Sequence, residues 1–168
     1  MKTLPFAAAL MLALACGQAV SADKGSDPLQ PLAFLAGHCF KGEVANGKDV
    51  DEHCFQWIYG GKALRDTHVV RGAGHADYAG ESTYYWDSLA RRIDYLYIEN
   101  QGGIMRGSVE PADGALVFPA TSFVGDGIAL TIRVRWTILA DGSYEAWSEM
   151  QDKDDWRTMF RVKMAKSS

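Results

Sequence analysis

Apolar and polar residues alternate with a period of two along much of this chain. The clearest run is Ile128-Ala129-Leu130-Thr131-Ile132-Arg133-Val134-Arg135-Trp136-Thr137-Ile138, in which every even position is apolar and every odd one small or polar. A helix would scatter such a set around its axis, whereas a strand puts it on one face. Trp156, Thr158, Phe160, Val162 and Met164 repeat the alternation against Arg157, Met159, Arg161 and Lys163. Turn signals recur at strand-length spacing: Asn46-Gly47, Gly60-Gly61, Gly72-Ala73-Gly74, Asp87-Ser88, residues 100–103, Ala112-Asp113-Gly114, Gly125-Asp126-Gly127, Ala140-Asp141-Gly142 and residues 152–155. The runs between them are rich in Tyr, Trp, Val, Ile and Thr, so about ten strands joined by tight turns are predicted. No segment carries a long helical period; Leu32-Ala33-Phe34-Leu35-Ala36 makes at most a short helical turn, closed by Gly37.

Short connections favour an antiparallel up-and-down β-barrel over a Greek-key sandwich, which needs some long ones. Closure removes exposed strand edges, and ten strands enclose room for a ligand. One hairpin can be read at residue level. His38-Cys39-Phe40 is echoed by His53-Cys54-Phe55, and opposed residues of a hairpin have position numbers with a constant sum. Cys39 and Cys54 add to 93, as do Asn46 and Gly47. A turn at Asn46-Gly47 therefore sets the two cysteines opposite each other, with Cα atoms about 4.5–5.5 Å apart, and a Cys39–Cys54 disulfide is expected.

The amino terminus reads as an address. Lys2 precedes an apolar stretch from Leu4 to Cys16, and Val20-Ser21-Ala22 places small residues before a polar continuation. Residues 1–22 are expected to be a signal peptide cleaved after Ala22, which implies a periplasmic or secreted protein. A weaker reading takes Ala13-Leu14-Ala15-Cys16 as a lipoprotein box with a lipid anchor at Cys16. Residues 23–31 read as a flexible lead-in and residues 32–166 as the barrel domain. The chain of 168 residues holds 17 Lys+Arg and 21 Asp+Glu. Removing residues 1–22 takes one Lys and no acid, for a net charge of −5. That mild acidity leaves no basic face for a nucleic-acid partner. No apolar run reaches the roughly 18 residues of a membrane span.

Motifs with a fixed chemistry are missing: there is no Gly-x-Ser-x-Gly, His-Glu-x-x-His or Cys-x-x-Cys, and neither Gly60-Gly61-Lys62 nor Gly72-Ala73-Gly74 completes a phosphate or dinucleotide loop. A metal site built from His38, Cys39, His53 and Cys54 is disfavoured, since adjacent strand residues point to opposite faces. No metal and no cofactor are expected. Polar residues on strand faces are the remaining candidates for ligand contacts. Glu81, Thr83, Tyr85 and Asp87 share one face, and Asp66 and His68 share another with Leu64 and Val70. Glu52 shares a face with Cys54, and Arg106, Glu99, Glu145 and Glu149 extend the set. A carboxylate inside a barrel must be paired, hydrogen-bonded or protonated.

Leu32-Ala33-Phe34-Leu35-Ala36-Gly37, then Glu52 and Trp57, Gly60-Gly61-Lys62-Ala63-Leu64, Arg71-Gly72, Gly80-Glu81 and Tyr84-Tyr85-Trp86-Asp87 resemble the uncharacterised exported bacterial proteins grouped with lipocalin-like (calycin) β-barrels. The resemblance implies a barrel with an internal cavity and says little about activity. The chain is also distantly similar to the nitrobindin heme barrels. Phe40 stands where that group has Trp, and no His follows His75, so heme is not expected. The reading is thus an exported barrel that binds a small, largely apolar ligand, with His68, Glu81, Tyr85, Glu52 and Arg106 as polar contacts. One alternative is a small hydrolase or proton-transfer enzyme using His68 with Glu81 or Asp66. Another is an envelope structural or interaction protein without a ligand.

Overall fold

A computed structural model describes residues 27–44 and 47–167. The signal-peptide reading, Cys16 and Asn46 lie outside the described residues. Ten antiparallel strands form one closed barrel: β1 (Cys39–Glu43), β2 (Asp49–Ile58), β3 (Ala63–Gly72), β4 (Tyr78–Asp87), β5 (Arg92–Glu99), β6 (Ile104–Ala112), β7 (Ala115–Gly125), β8 (Ile128–Ile138), β9 (Tyr144–Asp152) and β10 (Asp155–Ser167). Each strand pairs with its neighbours in sequence, and β1 closes the ring against β10. This is the up-and-down architecture that the short turns imply, and it is compatible with a calycin-like barrel. No helix among the described residues is long and apolar enough to cross a membrane.

The β1–β2 register keeps the constant sum of 93, from Cys39 opposite Cys54 to Glu43 opposite Val50. Cys39 and Cys54 form a disulfide with their Cα atoms 4.0 Å apart. In β8 the alternation places Ile132, Val134 and Trp136 inward. In β10 it is interrupted, because a register shift lies between Thr158 and Phe160. Phe160, Val162 and Met164 face the interior, while Trp156 packs beneath the Arg133 guanidinium, 4.1 Å from its ring centre. A second shift, between Phe118 and Thr121 in β7, contains Pro119, a residue that cannot donate to the ladder and is accommodated at a bulge.

The interior is filled unevenly. At the end where β1, β3 and β9 begin, Leu29, Leu32 and Leu35 pack into one cluster with Phe40, Phe55, Leu64, Tyr144 and Met164. A short 3-10 turn at Gln30–Leu32 carries these leucines. Gly37 N–H donates to the Phe55 carbonyl, and Phe55 N–H donates to that of His38, which ties the segment to β2. Residues 23–31 read as a flexible lead-in, yet Leu29 already lies buried in the core. The opposite end keeps a cavity of about 310 Å³.

Candidate functional site

The cavity walls are mostly apolar, with Val70, Met105, Phe123, Leu130, Ile132, Val134 and Phe160 among them. Its polar side is built by β2 and β3. These strands are joined through Gly60-Gly61, whose numbers add to 121. The register has the same sum, so His53 stands directly opposite His68 and Phe55 opposite Asp66. The two imidazole rings stack with centres 4.7 Å apart and planes 22° from parallel.

His53 sits between two carboxylates. Its Nδ1 donates to both oxygens of Asp66, at 3.0 and 2.9 Å, and its Nε2 lies 3.2 Å from Asp51 Oδ2. Asp66 is 1% exposed, and both of its carboxylate oxygens are held by this ring. Burial alone would lower the pKa of His53. The carboxylates of Asp66 and Asp51 outweigh it and push that pKa up to about 10. Burial likewise opposes the charge on Asp51, and hydrogen bonds from His53 and His68 overcome it, holding the carboxyl well below its ordinary range.

The network continues through His68. Its Nδ1 lies 3.5 Å from Asp51 Oδ1, its Nε2 lies 2.9 Å from the Tyr97 hydroxyl, and Tyr97 is 2.8 Å from the Tyr78 hydroxyl. Burial raises the pKa of both Tyr97 and Tyr78, so both are neutral hydroxyls. Gly80, opposite His68 on β4, makes the contact possible. A Cβ there would fall 2.6 Å from the Tyr97 ring and 2.7 Å from His68 Nε2. Deeper in the cavity wall, Tyr144 is 1% exposed and its hydroxyl has no hydrogen-bond partner. Burial holds its pKa well above that of a free tyrosine.

Among the residues singled out from sequence, His68 lines the cavity and Asp66 lies beside it. The structure places the others elsewhere. In β4 the interior face is Tyr78, Gly80, Ser82 and Tyr84, since burying the Tyr84 ring fixes the parity; Glu81 and Tyr85 then point outward and are exposed. Glu52 is also on the outer face, paired with Lys41 at 3.2 Å and Arg71 at 3.1 Å. Arg106 is exposed, because its neighbour Met105 is the inward residue. Glu145 pairs with Arg161 and Glu149 with Arg133, while Glu99 is bonded to backbone N–H groups of the β5–β6 turn. The pairing of His68 with Glu81 is therefore not formed, and Asp66 is engaged by His53 rather than by His68.

His38 is exposed and packs edge-on to Phe40, whereas His53 stacks on Phe55. Sequence reasoning weighed His53 only within a disfavoured set with His38, Cys39 and Cys54, and passed over Asp51, Tyr78, Tyr97 and Tyr144 as site residues. A usable signal existed for His53: the constant-sum rule applied to Gly60-Gly61 puts it against His68, and Asp51 lies two residues earlier on the same strand face. Nothing comparable marks the tyrosines, which meet β3 through the closed wall.

No family model matches the chain, and a search of the curated proteins finds no similar sequence.

Proposed function

We propose that this protein is an exported barrel that binds a small, largely apolar molecule in its half-open cavity. The reading rests on that cavity. A volume of about 310 Å³ falls at the lower end of small-molecule pockets, and a mostly apolar wall with a few convergent polar groups is their usual composition. The ligand's apolar body packs against Phe123, Leu130 and Phe160. A polar end meets the Asp51–His68–Tyr97 network or accepts a hydrogen bond from Tyr144, whose buried hydroxyl otherwise lacks a partner.

Export is supported by the amino-terminal pattern and by the Cys39–Cys54 disulfide, a bond that persists in oxidising compartments. The mass of the protein recovered from the cell envelope distinguishes cleavage after Ala22 from lipidation at Cys16.

The test is binding of an apolar fluorescent probe, 1-anilinonaphthalene-8-sulfonate, with native mass spectrometry of the freshly purified protein. We expect one saturable site, lost when Val134→Phe narrows the cavity in a protein whose near-ultraviolet circular dichroism is unchanged. Equal probe binding in that variant overturns the reading.

One observation favours an interaction role instead. Ile98 and Val124 are exposed, and both stand opposite Ile104, which makes an apolar stripe across β5, β6 and β7. If this stripe is a contact surface, Ile98→Lys with Val124→Lys will shift the sedimentation of the protein toward a smaller species. No shift counts against it.

A further inference from the structure

The geometry points to a binding site for a first-row divalent transition metal, such as zinc or ferrous iron, formed by Asp51, His53 and His68 on the polar side of the cavity. One donor atom from each of the three residues can be chosen so that all lie within 4.8 Å of one another. The two contacts with Asp51 are 3.2 Å from His53 Nε2 and 3.5 Å from His68 Nδ1. Two ligand atoms each about 2.0–2.2 Å from one tetrahedral ion are about 3.3–3.6 Å apart, so these nitrogens need little movement to share an ion with the carboxylate.

The stronger argument lies one layer out. A metal-ligating histidine almost always donates its other ring N–H to an acceptor, most often a carboxylate, a backbone carbonyl or water, which fixes the tautomer and aims the free nitrogen. Both histidines here have that arrangement. Asp66 receives His53 Nδ1–H and leaves Nε2 directed at Asp51. The Tyr97 hydroxyl, backed by Tyr78, is placed to receive His68 Nε2–H and leave Nδ1 directed at the same carboxylate. A stacked pair held only for packing would not need the distal nitrogen of each ring secured on opposite sides of one acid.

Two nitrogens and one oxygen suit zinc, cobalt, nickel or ferrous iron, whereas calcium and magnesium favour all-oxygen sites. The side chains of His53, Asp51 and His68 keep 15%, 13% and 9% exposure, so an ion can reach them through the cavity. Three protein donors leave at least one coordination position for water or for a ligand's polar end. The other close group of potential donors, Cys39, Glu52 and Cys54, has both sulfurs in the disulfide and offers no thiolate. This inference does not depend on the apolar-ligand reading, since the ion is held by protein atoms alone.

The test uses the full purified chain, stripped with a chelator and titrated with cobalt(II) as a spectroscopic probe. We expect visible d–d absorption that saturates at one ion per chain, is lost on adding zinc, and is unaffected by calcium. Asp51→Asn and His68→Ala should abolish it. Tyr97→Phe should weaken affinity by about 10–100-fold, the usual effect of removing a group that orients a ligand. His75→Ala, which breaks an exposed pair with Asp49, should leave binding unchanged. Absence of cobalt absorption in the unaltered protein, or wild-type binding by Asp51→Asn and His68→Ala, overturns the proposal. Should a variant fail to fold, X-ray absorption of the zinc-loaded wild type decides: two imidazoles with oxygen support the site, and fewer imidazoles or a sulfur scatterer refute it. Loss of probe binding in Val134→Phe with cobalt binding intact separates the two readings.

Discussion

The two ends of this barrel have the same backbone and opposite interiors. At one end Leu29, Leu32 and Leu35 fill the space between the strands and meet Phe40, Tyr144 and Met164 in a solid core. At the other, none of the described residues plays that part, and Phe123, Leu130 and Phe160 stay only partly buried around a cavity. Paired strands wall both halves, although β1 and β10 meet only near the solid end, from Cys39 opposite Ser167 to Lys41 opposite Ala165. A ten-stranded wall, however, is too wide for its own side chains to fill, so a packed interior needs an extra segment. The same contrast holds for polar groups. Tyr144, which joins the core cluster and also lines the cavity floor, keeps an orphan hydroxyl, whereas the hollow end carries a connected chain from Asp66 through His53, Asp51 and His68 to Tyr97 and Tyr78.

The largest test of that contrast compares two phenylalanines. Phe40→Ala, in the solid end, should lower stability by about 3–5 kcal/mol in urea denaturation, and Phe123→Ala at the cavity mouth by less than half as much. Equal losses would mean that the two ends are packed alike. The buried ion pair should be nearly as sensitive. Asp66→Ala leaves His53 charged and poorly compensated, at a loss of about 3–5 kcal/mol, while His53→Leu combined with Asp66→Leu should be markedly milder. A double change as damaging as the single one would show that the pair itself supplies the stability.

Replacing both Cys39 and Cys54 by Ala should remove roughly 3 kcal/mol, since the closed loop of this length constrains the unfolded chain. The loss should appear as a lower urea midpoint with the cavity's probe binding retained.

A further effect is graded by pH, modest within any one unit. His53 has an ordinary value of 6.5 and is pushed up to about 10 in the fold, so the protonated form is favoured by folding. Its contribution is complete below the ordinary value and is lost as pH rises toward about 10. The unfolding free energy of the chelator-stripped protein, from urea denaturation, should therefore fall across that window, by at most about 1.4 kcal/mol per pH unit. His53→Leu in the Asp66→Leu background should flatten the slope. The smallest change is expected for Tyr144→Phe, within about 1 kcal/mol of wild type or slightly stabilising, because the hydroxyl it removes has no partner. Weaker retention of a polar-ended ligand by the same variant would assign that hydroxyl to the cavity's chemistry.

Much of the architecture can be read from the chain alone, and the reason is that strand geometry is local. Period-two alternation names the strands, and tight turns make sequence neighbours pair. A two-residue turn also converts position numbers into cross-strand partners, which is why Cys39 and Cys54 are legible. His53 and His68 obey the same rule across Gly60-Gly61. Which face of a strand is inside is less local. In β4 the choice between the Glu81–Tyr85 face and the Ser82–Tyr84 face depends on what β3 and β5 bury, and tyrosines stand on both faces. In β10 one extra residue near Met159 reverses the parity partway along the strand, so Trp156 leaves the side on which Phe160 lies.

What the amino-acid sequence determined by itself is the set of strands, their antiparallel order, and one disulfide, because each follows from backbone periodicity and turn length within a short stretch of chain. What the tertiary structure decided is which residues share the interior. Tyr97 reaches His68 only because β5 lies two strands from β3 in a curved wall, with Gly80 leaving room between them. The cavity exists only because the N-terminal leucines fill one end of the closed ring and leave the other hollow.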